Sequence, residues 1–157
     1  MTTVLAILEQ RDGVLRKISH EVVTAAHRLG GTVEAVGCAA GPVAGADQLG
    51  KFGADKVVTL TNAGFAKYAP EGNAQAIADR AKAGGYTAVL FAASATGKDL
   101  APRVAAKLGV GLAADCTDIA AEGAGGGGAI VATRPVYAGK ALLKIKIAAK
   151  PPVLSVR

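Results

Sequence analysis

A series of short apolar runs rich in β-branched residues most constrains this chain: TVLAIL (3–8), TVEAVGC (32–38), KVVTLT (56–61), TAVLFAA (87–93) and VGLAAD (110–115). Each is too short for a membrane span, and several are apolar without alternation, the pattern of strands buried on both faces. Between them, apolar residues recur at helical spacing. Ile18, Val22, Ala25 or Ala26, and Leu29 share one face over 18–29, with Ser19 as the expected N-cap and Gly30-Gly31 as the stop. A short helix is expected at 46–53. A longer one at about 73–83 has an apolar face of Ala74, Ile77, Ala78 and Ala81. In the stretch SATGKDLAPRVAAKLG (94–109), Leu100, Val104 and Leu108 form a stripe, Pro102 falls in the first turn and Gly109 ends the helix. Strands alternating with helices imply a parallel sheet covered on both faces, with right-handed crossovers.

The pattern changes near residue 116. AIVATRPVY (129–137), AGK and ALLKIKI (141–147) read as an antiparallel β-hairpin, with Leu143, Ile145 and Ile147 opposite Lys144 and Lys146. The expectation is one α/β domain over 1–157: alternating elements to about 115, then hairpin and closing strand from about 116. Charge follows the same division. Residues 1–122 carry twelve basic and twelve acidic side chains, whereas everything charged after Glu122 is basic: Arg134, Lys140, Lys144, Lys146, Lys150 and Arg157. The net charge of +6 therefore belongs to the C-terminal segment, which suits a solvated strand face, an acidic partner, a nucleic acid or the rest of a longer polypeptide. It holds one aromatic residue, Tyr137, too few for the stacking platforms of single-stranded nucleic-acid binding.

Several motifs fail on inspection. A phosphate loop needs G-x-x-x-x-G-K-[ST]; aligned on Gly97-Lys98, Ala92 stands in place of the first glycine and Asp99 in place of the hydroxyl residue. Asp99 is expected to cap the helix, leaving Ser94, Thr96 and Gly97 as a weaker anion-site candidate at its N-terminus. GAGGGG (123–128) satisfies G-x-G-x-x-G but precedes a strand instead of a helix, so it is expected to be a loop. SHEVVTAAH (19–27) lacks the second histidine of H-E-x-x-H, and His20 and His27 lie two turns apart. Cys38 and Cys116 are expected to be buried free thiols, as in a cytosolic protein. No metal site, hydrolase triad, transmembrane span or signal peptide is expected.

Two segments together, TGKDLAPRVAAKLGVGLAADCTDI (96–119) and RPVYAGKALLKIKI (134–147), resemble the first half of the electron transfer flavoprotein alpha subunit. VLAILEQRDGVLRKISHEVVTAA (4–26) and the terminal PVLSVR fit the same half, so the resemblance covers nearly the whole chain. It departs at Lys140, where the family usually has Asn, and in lacking the second half that carries the FAD site. The resemblance implies a Rossmann-like domain of the adenine-nucleotide alpha hydrolase-like kind, part of a heterodimeric electron carrier and not itself an enzyme. FAD would lie in the later flavin domain of the alpha subunit and AMP in the beta subunit, with no cofactor on this chain alone. Partners implied are the beta subunit, the flavin domain and, through the holoprotein, acyl-CoA or other dehydrogenases. Neither nucleic acid nor membrane insertion is implied, and the compartment would be the cytoplasm or the mitochondrial matrix. Pro102, Arg103, Arg134, Pro135, Tyr137, Gly139 and Lys140 become interface candidates, with bracing inside the domain the other reading of both arginines. The alternative function is a stand-alone adenine-nucleotide module of universal-stress type, although ASATGKDLAPRVAAKLG lacks that group's first glycine pair.

Overall fold

In the first strand, β1 (Thr3–Ile7), Val4 and Ala6 face one side and Leu5 and Ile7 the other, all essentially inaccessible to solvent. This is why the run carries no alternation: both faces of the sheet are covered. The computed structural model describes residues 3–122 and 128–157. A small antiparallel hairpin follows β1, formed by β2 (Gln10–Arg11) and β3 (Val14–Leu15) across Asp12-Gly13, both at positive φ (52° and 77°). Then come α1 (Ile18–Arg28), β4 (Thr32–Ala39), a 3-10 helix (Ala46–Phe52), β5 (Lys56–Thr61) and a second 3-10 helix (Ala63–Ala66). α2 (Pro70–Gly84), β6 (Ala88–Ala92), α3 (Ala95–Leu108) and β7 (Leu112–Cys116) complete the alternating portion. β8 (Asp118–Ala121), β9 (Ile130–Val136), β10 (Ala141–Lys146) and β11 (Val153–Val156) follow.

The main sheet has six parallel strands in the order β5-β4-β1-β6-β11-β7. The last strand of the chain thus enters the sheet between β6 and β7 instead of adding at an edge. Two apolar layers flank the sheet. Val22, Val23 and Ala26 of α1, with Leu29 at its C-terminal end, pack against Val4, Ala6, Leu90 and Leu154 on one side. Ile77 and Ala78 of α2, with Leu100, Ala101 and Val104 of α3, pack against Leu5, Ile7, Val89 and Phe91 on the other. Each fully buried Leu, Ile or Phe contributes roughly 1.5–3 kcal/mol relative to exposure. Substitution in either layer therefore weighs heavily on a domain of marginal stability.

The expected hairpin is present, and β8 joins it to make a three-stranded antiparallel sheet in the order β10-β9-β8. The sequence reading missed β8, four residues flanked by polar and glycine-rich sequence with no apolar run. This sheet packs on the α1 side: Ile130 and Ala132, with Ile119, Ile145 and Ile147, join that apolar layer. Leu143, expected on the covered face, is instead 47% exposed. Most of the glycine run read as a loop, residues 123–127, lies outside the described residues.

Three local expectations are corrected. Ser19 does not cap α1, which begins after Lys17 with no side-chain cap. The Ser19 hydroxyl turns inward, accepting from the Glu9 N–H (2.9 Å) and donating to the Glu9 carbonyl (3.0 Å), and so satisfies the backbone leaving β1. Asp99 does not cap α3; Ser94 does, its Oγ accepting from the Gly97 N–H at 3.0 Å. α3 therefore starts four residues before Asp99, and Pro102 lies inside it, not in its first turn. Pro102 is exposed, and the Lys98 carbonyl that its missing N–H leaves free belongs to an exposed residue on the same helical face. α2 begins at Pro70, earlier than expected, with proline at the position where the missing N–H costs nothing.

Candidate functional site

Strand order reverses at β1: the chain moves outward through β4 and β5, then returns to β6 on the other side of β1. In open α/β sheets the crevice beyond the strand ends at such a reversal is the usual ligand position. Here it holds a cleft of roughly 360 Å³ between the carboxyl ends of β1, β4 and β6 and the helices α2 and α3. Ile7, Phe91, Ile77 and Leu100 form apolar walls, and Phe65 and Tyr68 from the segment before α2 contribute further lining.

Thr96 and Gly97 line this crevice and Ser94 adjoins it through Glu9, but the sequence reading did not foresee what meets them there. Glu9, 8% exposed, accepts a hydrogen bond from the Ser94 hydroxyl through Oε1 and pairs with Arg16 through Oε2 at 2.6 Å. The first positive end of α3 therefore faces a carboxylate supplied by the protein. Gly97 serves packing: a Cβ there would fall 1.8 Å from the Ala92 carbonyl oxygen. Thr96 lines the cleft. The volume of about 360 Å³ falls within the range of roughly 300–1,000 Å³ for single small-molecule sites, and a pyrophosphate at this helix end would meet Glu9.

The interface candidates divide into two groups. Pro102 and Arg103 ride on α3, on the side of the sheet opposite the antiparallel layer. The Arg103 guanidinium donates to Asp99 (3.2 and 3.1 Å) and also pairs with Glu71 of α2, while Asp99 accepts from the Tyr68 hydroxyl at 2.7 Å. Hydrogen bonds from Tyr68 and then Arg103 hold the Asp99 carboxyl below its usual range. Arg103 thus braces α3 to α2, the second of its two readings.

Arg134, Pro135, Tyr137, Gly139 and Lys140 lie together on β9 and the turn to β10. Tyr137 is 82% exposed and Leu142 69%. Tyr137 and Ala138 both occupy the left-handed region (φ 51° and 55°), followed by Gly139 at 85°. Two consecutive side-chain-bearing residues there are strained, a condition that clusters at functional segments. Arg134 has a buried Nε with no hydrogen-bond partner among the described residues, beside a shallow hollow shared with Arg157.

One network near this sheet carried no sequence signal. Asp115 is left-handed (φ 60°), its N–H donates to Ser155 Oγ (2.9 Å), and its carboxylate receives Arg157 Nε and Nη2 at 2.9 and 2.6 Å. Hydrogen bonds from Arg157 hold its carboxyl below the usual range against some burial, with Lys98 and Arg134 adding to the effect. A bidentate pair between residues 42 apart exists only because β11 is inserted beside β7.

Cys38 and Cys116 are both buried and free, and burial pushes each thiol up to about 11. Among the described residues no cluster of three or more His, Cys, Asp or Glu side chains is placed to hold a metal. No described helix is long and apolar enough to cross a membrane.

The electron transfer flavoprotein domain family matches residues 4–157. The chain is 39% identical over 150 residues to the electron transfer flavoprotein subunit alpha of Syntrophomonas wolfei, covering 96% of this chain and 46% of that protein. It is 34% identical to the subunit alpha of Bacillus subtilis (90% and 43% covered) and 31% identical to that of Mycobacterium tuberculosis (100% and 48%). The chain spans less than half the length of these relatives. None of these matches favours a universal-stress module. With the family pattern extending over both the parallel sheet and the antiparallel layer, the chain belongs to the electron transfer flavoprotein domain family and is similar to the N-terminal portion of its alpha subunits.

Proposed function

We propose that this domain is an assembly platform in a heterodimeric, flavin-linked electron carrier, docking the beta subunit through the turn between β9 and β10. The observation that carries this reading is the exposed apolar and basic face of that hairpin. Tyr137 and Leu142 are 82% and 69% exposed, with Lys140 in the same turn and Lys144 on the same strand face as Leu142. Large exposed apolar side chains gathered in one place mark interaction surfaces. Tyrosine and arginine are also the residue types that most often anchor interfaces. Arg134, with its Nε free of intradomain partners among the described residues, suits a carboxylate or carbonyl on the partner.

In this reading FAD sits in the flavin domain of the alpha subunit and AMP on the beta subunit. Electrons from acyl-CoA or other dehydrogenases pass through the holoprotein to a quinone reductase or another acceptor, and this domain performs no chemistry itself. The setting is the cytoplasm or its mitochondrial equivalent. In this reading Arg103 lies outside the docking face, because its partners Glu71 and Asp99 are within the domain, and Pro102 rides on the same helix.

The test is co-expression with the cognate beta subunit, followed by gel filtration and titration calorimetry. Tyr137→Asp and Leu142→Asp should each weaken the complex at least tenfold while leaving the far-ultraviolet circular dichroism unchanged. Unchanged affinity in both variants refutes the docking face. Stoichiometric flavin retained by this chain after desalting contradicts the placement of FAD elsewhere.

A further inference from the structure

The cleft beyond the strand ends is bordered by the segment that joins β5 to α2, residues 62–69, and little fastens that segment down. Phe65, Ala66, Lys67 and Tyr68 line the cleft from this side. Of residues 62–68 only Phe65 is partly shielded from solvent; the rest are exposed. The ends are anchored. The Asn62 N–H donates to the Ala39 carbonyl at 3.1 Å, and the Ala69 carbonyl accepts from the Asn73 N–H at 2.8 Å. Between those anchors, the backbone hydrogen bonds among the described residues stay inside the segment, as from the Phe65 N–H to the Asn62 carbonyl at 2.9 Å. Two side chains are left to hold it against the domain. Phe65 packs on the apolar layer of α2 and α3, so close to Gly72 that a Cβ there would lie 3.3 Å from its ring. The Tyr68 hydroxyl donates to Asp99 Oδ2 on α3 at 2.7 Å.

A segment with few buried apolar contacts opens at a small fraction of the cost of unfolding the whole domain. The seat for Tyr68 is fixed by other residues: Arg103 donates to Asp99 Oδ1 at 3.2 and 3.1 Å, which leaves Oδ2 for the tyrosine. We infer that residues 62–69 form a hinged strap over the cleft, latched by Tyr68 on Asp99 and able to open while both apolar layers stay folded. Arg103 is then a positioning residue for the latch. Opening uncovers the end of the α2–α3 layer where Cys38 lies, 7% exposed and lining the same cleft as the strap. Cys116, with no exposed surface, belongs to the α1 layer on the opposite side of the sheet. The two thiols therefore report two separate events, local opening and global unfolding. The inference stands apart from the docking reading, which concerns the hairpin and no residue of the strap.

The experiment times the modification of both thiols by iodoacetamide in the purified protein, at several urea concentrations below the unfolding transition. Mass spectrometry of the peptides carrying Cys38 and Cys116 is the readout. In the unaltered protein Cys38 should react about tenfold faster than Cys116 or more, with a shallower dependence on urea, because opening the strap exposes far less surface than unfolding. Tyr68→Phe, which deletes the latching hydroxyl and keeps the ring, should speed Cys38 roughly fivefold and leave Cys116 unchanged. Gln75→Ala removes a different tie between the same two helices, the bond from Lys107 Nζ to Gln75 Oε1 at 3.1 Å, and should change neither thiol. The inference is overturned if both thiols react at one rate with one urea dependence, since Cys38 would then be reached only through global unfolding. It is overturned equally if Tyr68→Phe leaves Cys38 at the parent rate, or if Gln75→Ala speeds it as much as Tyr68→Phe does. Because the two thiols are compared on the unaltered protein, failure of a variant to fold leaves that arm standing.

Discussion

Gly97→Ala probes the contact that fixes α3 against the sheet. A methyl group at that position would fall 1.8 Å from the Ala92 carbonyl oxygen and 3.0 Å from its carbon, and the obstacle is backbone, which cannot rotate away as a side chain can. Reaching a tolerable separation requires α3 to withdraw by about 1.5 Å, enough to disturb a close-packed layer. Leu100, Ala101, Val104 and Ala105 would move with it, and all four are at most 4% exposed. Overpacking of this kind costs about 1–3 kcal/mol, and a rigid obstacle places it at the upper end. Replacing glycine by alanine in a helix returns up to about 1 kcal/mol. The expected net loss is about 2 kcal/mol, or a Tm lowered by roughly 4–8 °C in a chain of this size. Urea and thermal unfolding followed by circular dichroism measure it. Gly50→Ala is the control: a Cβ there meets nothing within 4 Å, so the same chemical change should be neutral or slightly stabilising. A Gly97→Ala protein at least as stable as the parent refutes the close approach of α3 to β6.

Two further outcomes follow from local geometry. Burial pushes the Glu34 carboxyl up, but hydrogen bonds from Tyr86 and Arg80, the Arg80 charge and Lys56 outweigh it and leave the group below its ordinary value of 4.5. Its contribution is therefore fully present above about pH 4.5 and is lost as pH falls through the lower folded value. Glu34→Gln should lower stability at pH 7 by about 1–3 kcal/mol and flatten the acid limb of the stability profile; parallel acid limbs in the two proteins would show that Glu34 is not the group responsible. Ala138→Gly relieves a left-handed alanine (φ 55°). Its gain of about 1–2 kcal/mol exceeds the roughly 0.4–1 kcal/mol returned to the unfolded chain, so stability to urea should rise by about 0.5 kcal/mol. A loss above about 1 kcal/mol would mean the turn is not left-handed.

The cleft and the hairpin face differ in how far their residues announced them. Tyr137, Lys140 and Arg134 were singled out by the resemblance carried in RPVYAGK (134–140); what the residues themselves announced was the hairpin that presents them, because strand pairing across a short turn is a local event. Arg103 was visible too, but not its partners: Glu71 reaches it from another helix, and only the packing of α2 on α3 brings them together. Glu9 gave no signal at all. A glutamate just after a strand ordinarily reads as polar surface, and its partners Ser94 and Arg16 come to it only through the fold.

The sequence by itself determined the alternation of strand and helix, the two-sided burial of the parallel strands and the basic antiparallel hairpin. Those follow from periodicity and apolar content, properties of neighbouring residues that need no knowledge of distant ones. Tertiary structure decided what long-range pairing controls. It placed β11 between β6 and β7, which lets Arg157 meet Asp115. It recruited β8 as a third strand, and it turned Ser19 inward to Glu9 instead of to its own helix. It also gave the cap of α3 to Ser94 and set Glu9 before that helix end. A hydroxyl or carboxylate has several nearby partners of similar energy, and the choice among them rests on which groups the packed core brings within about 3 Å.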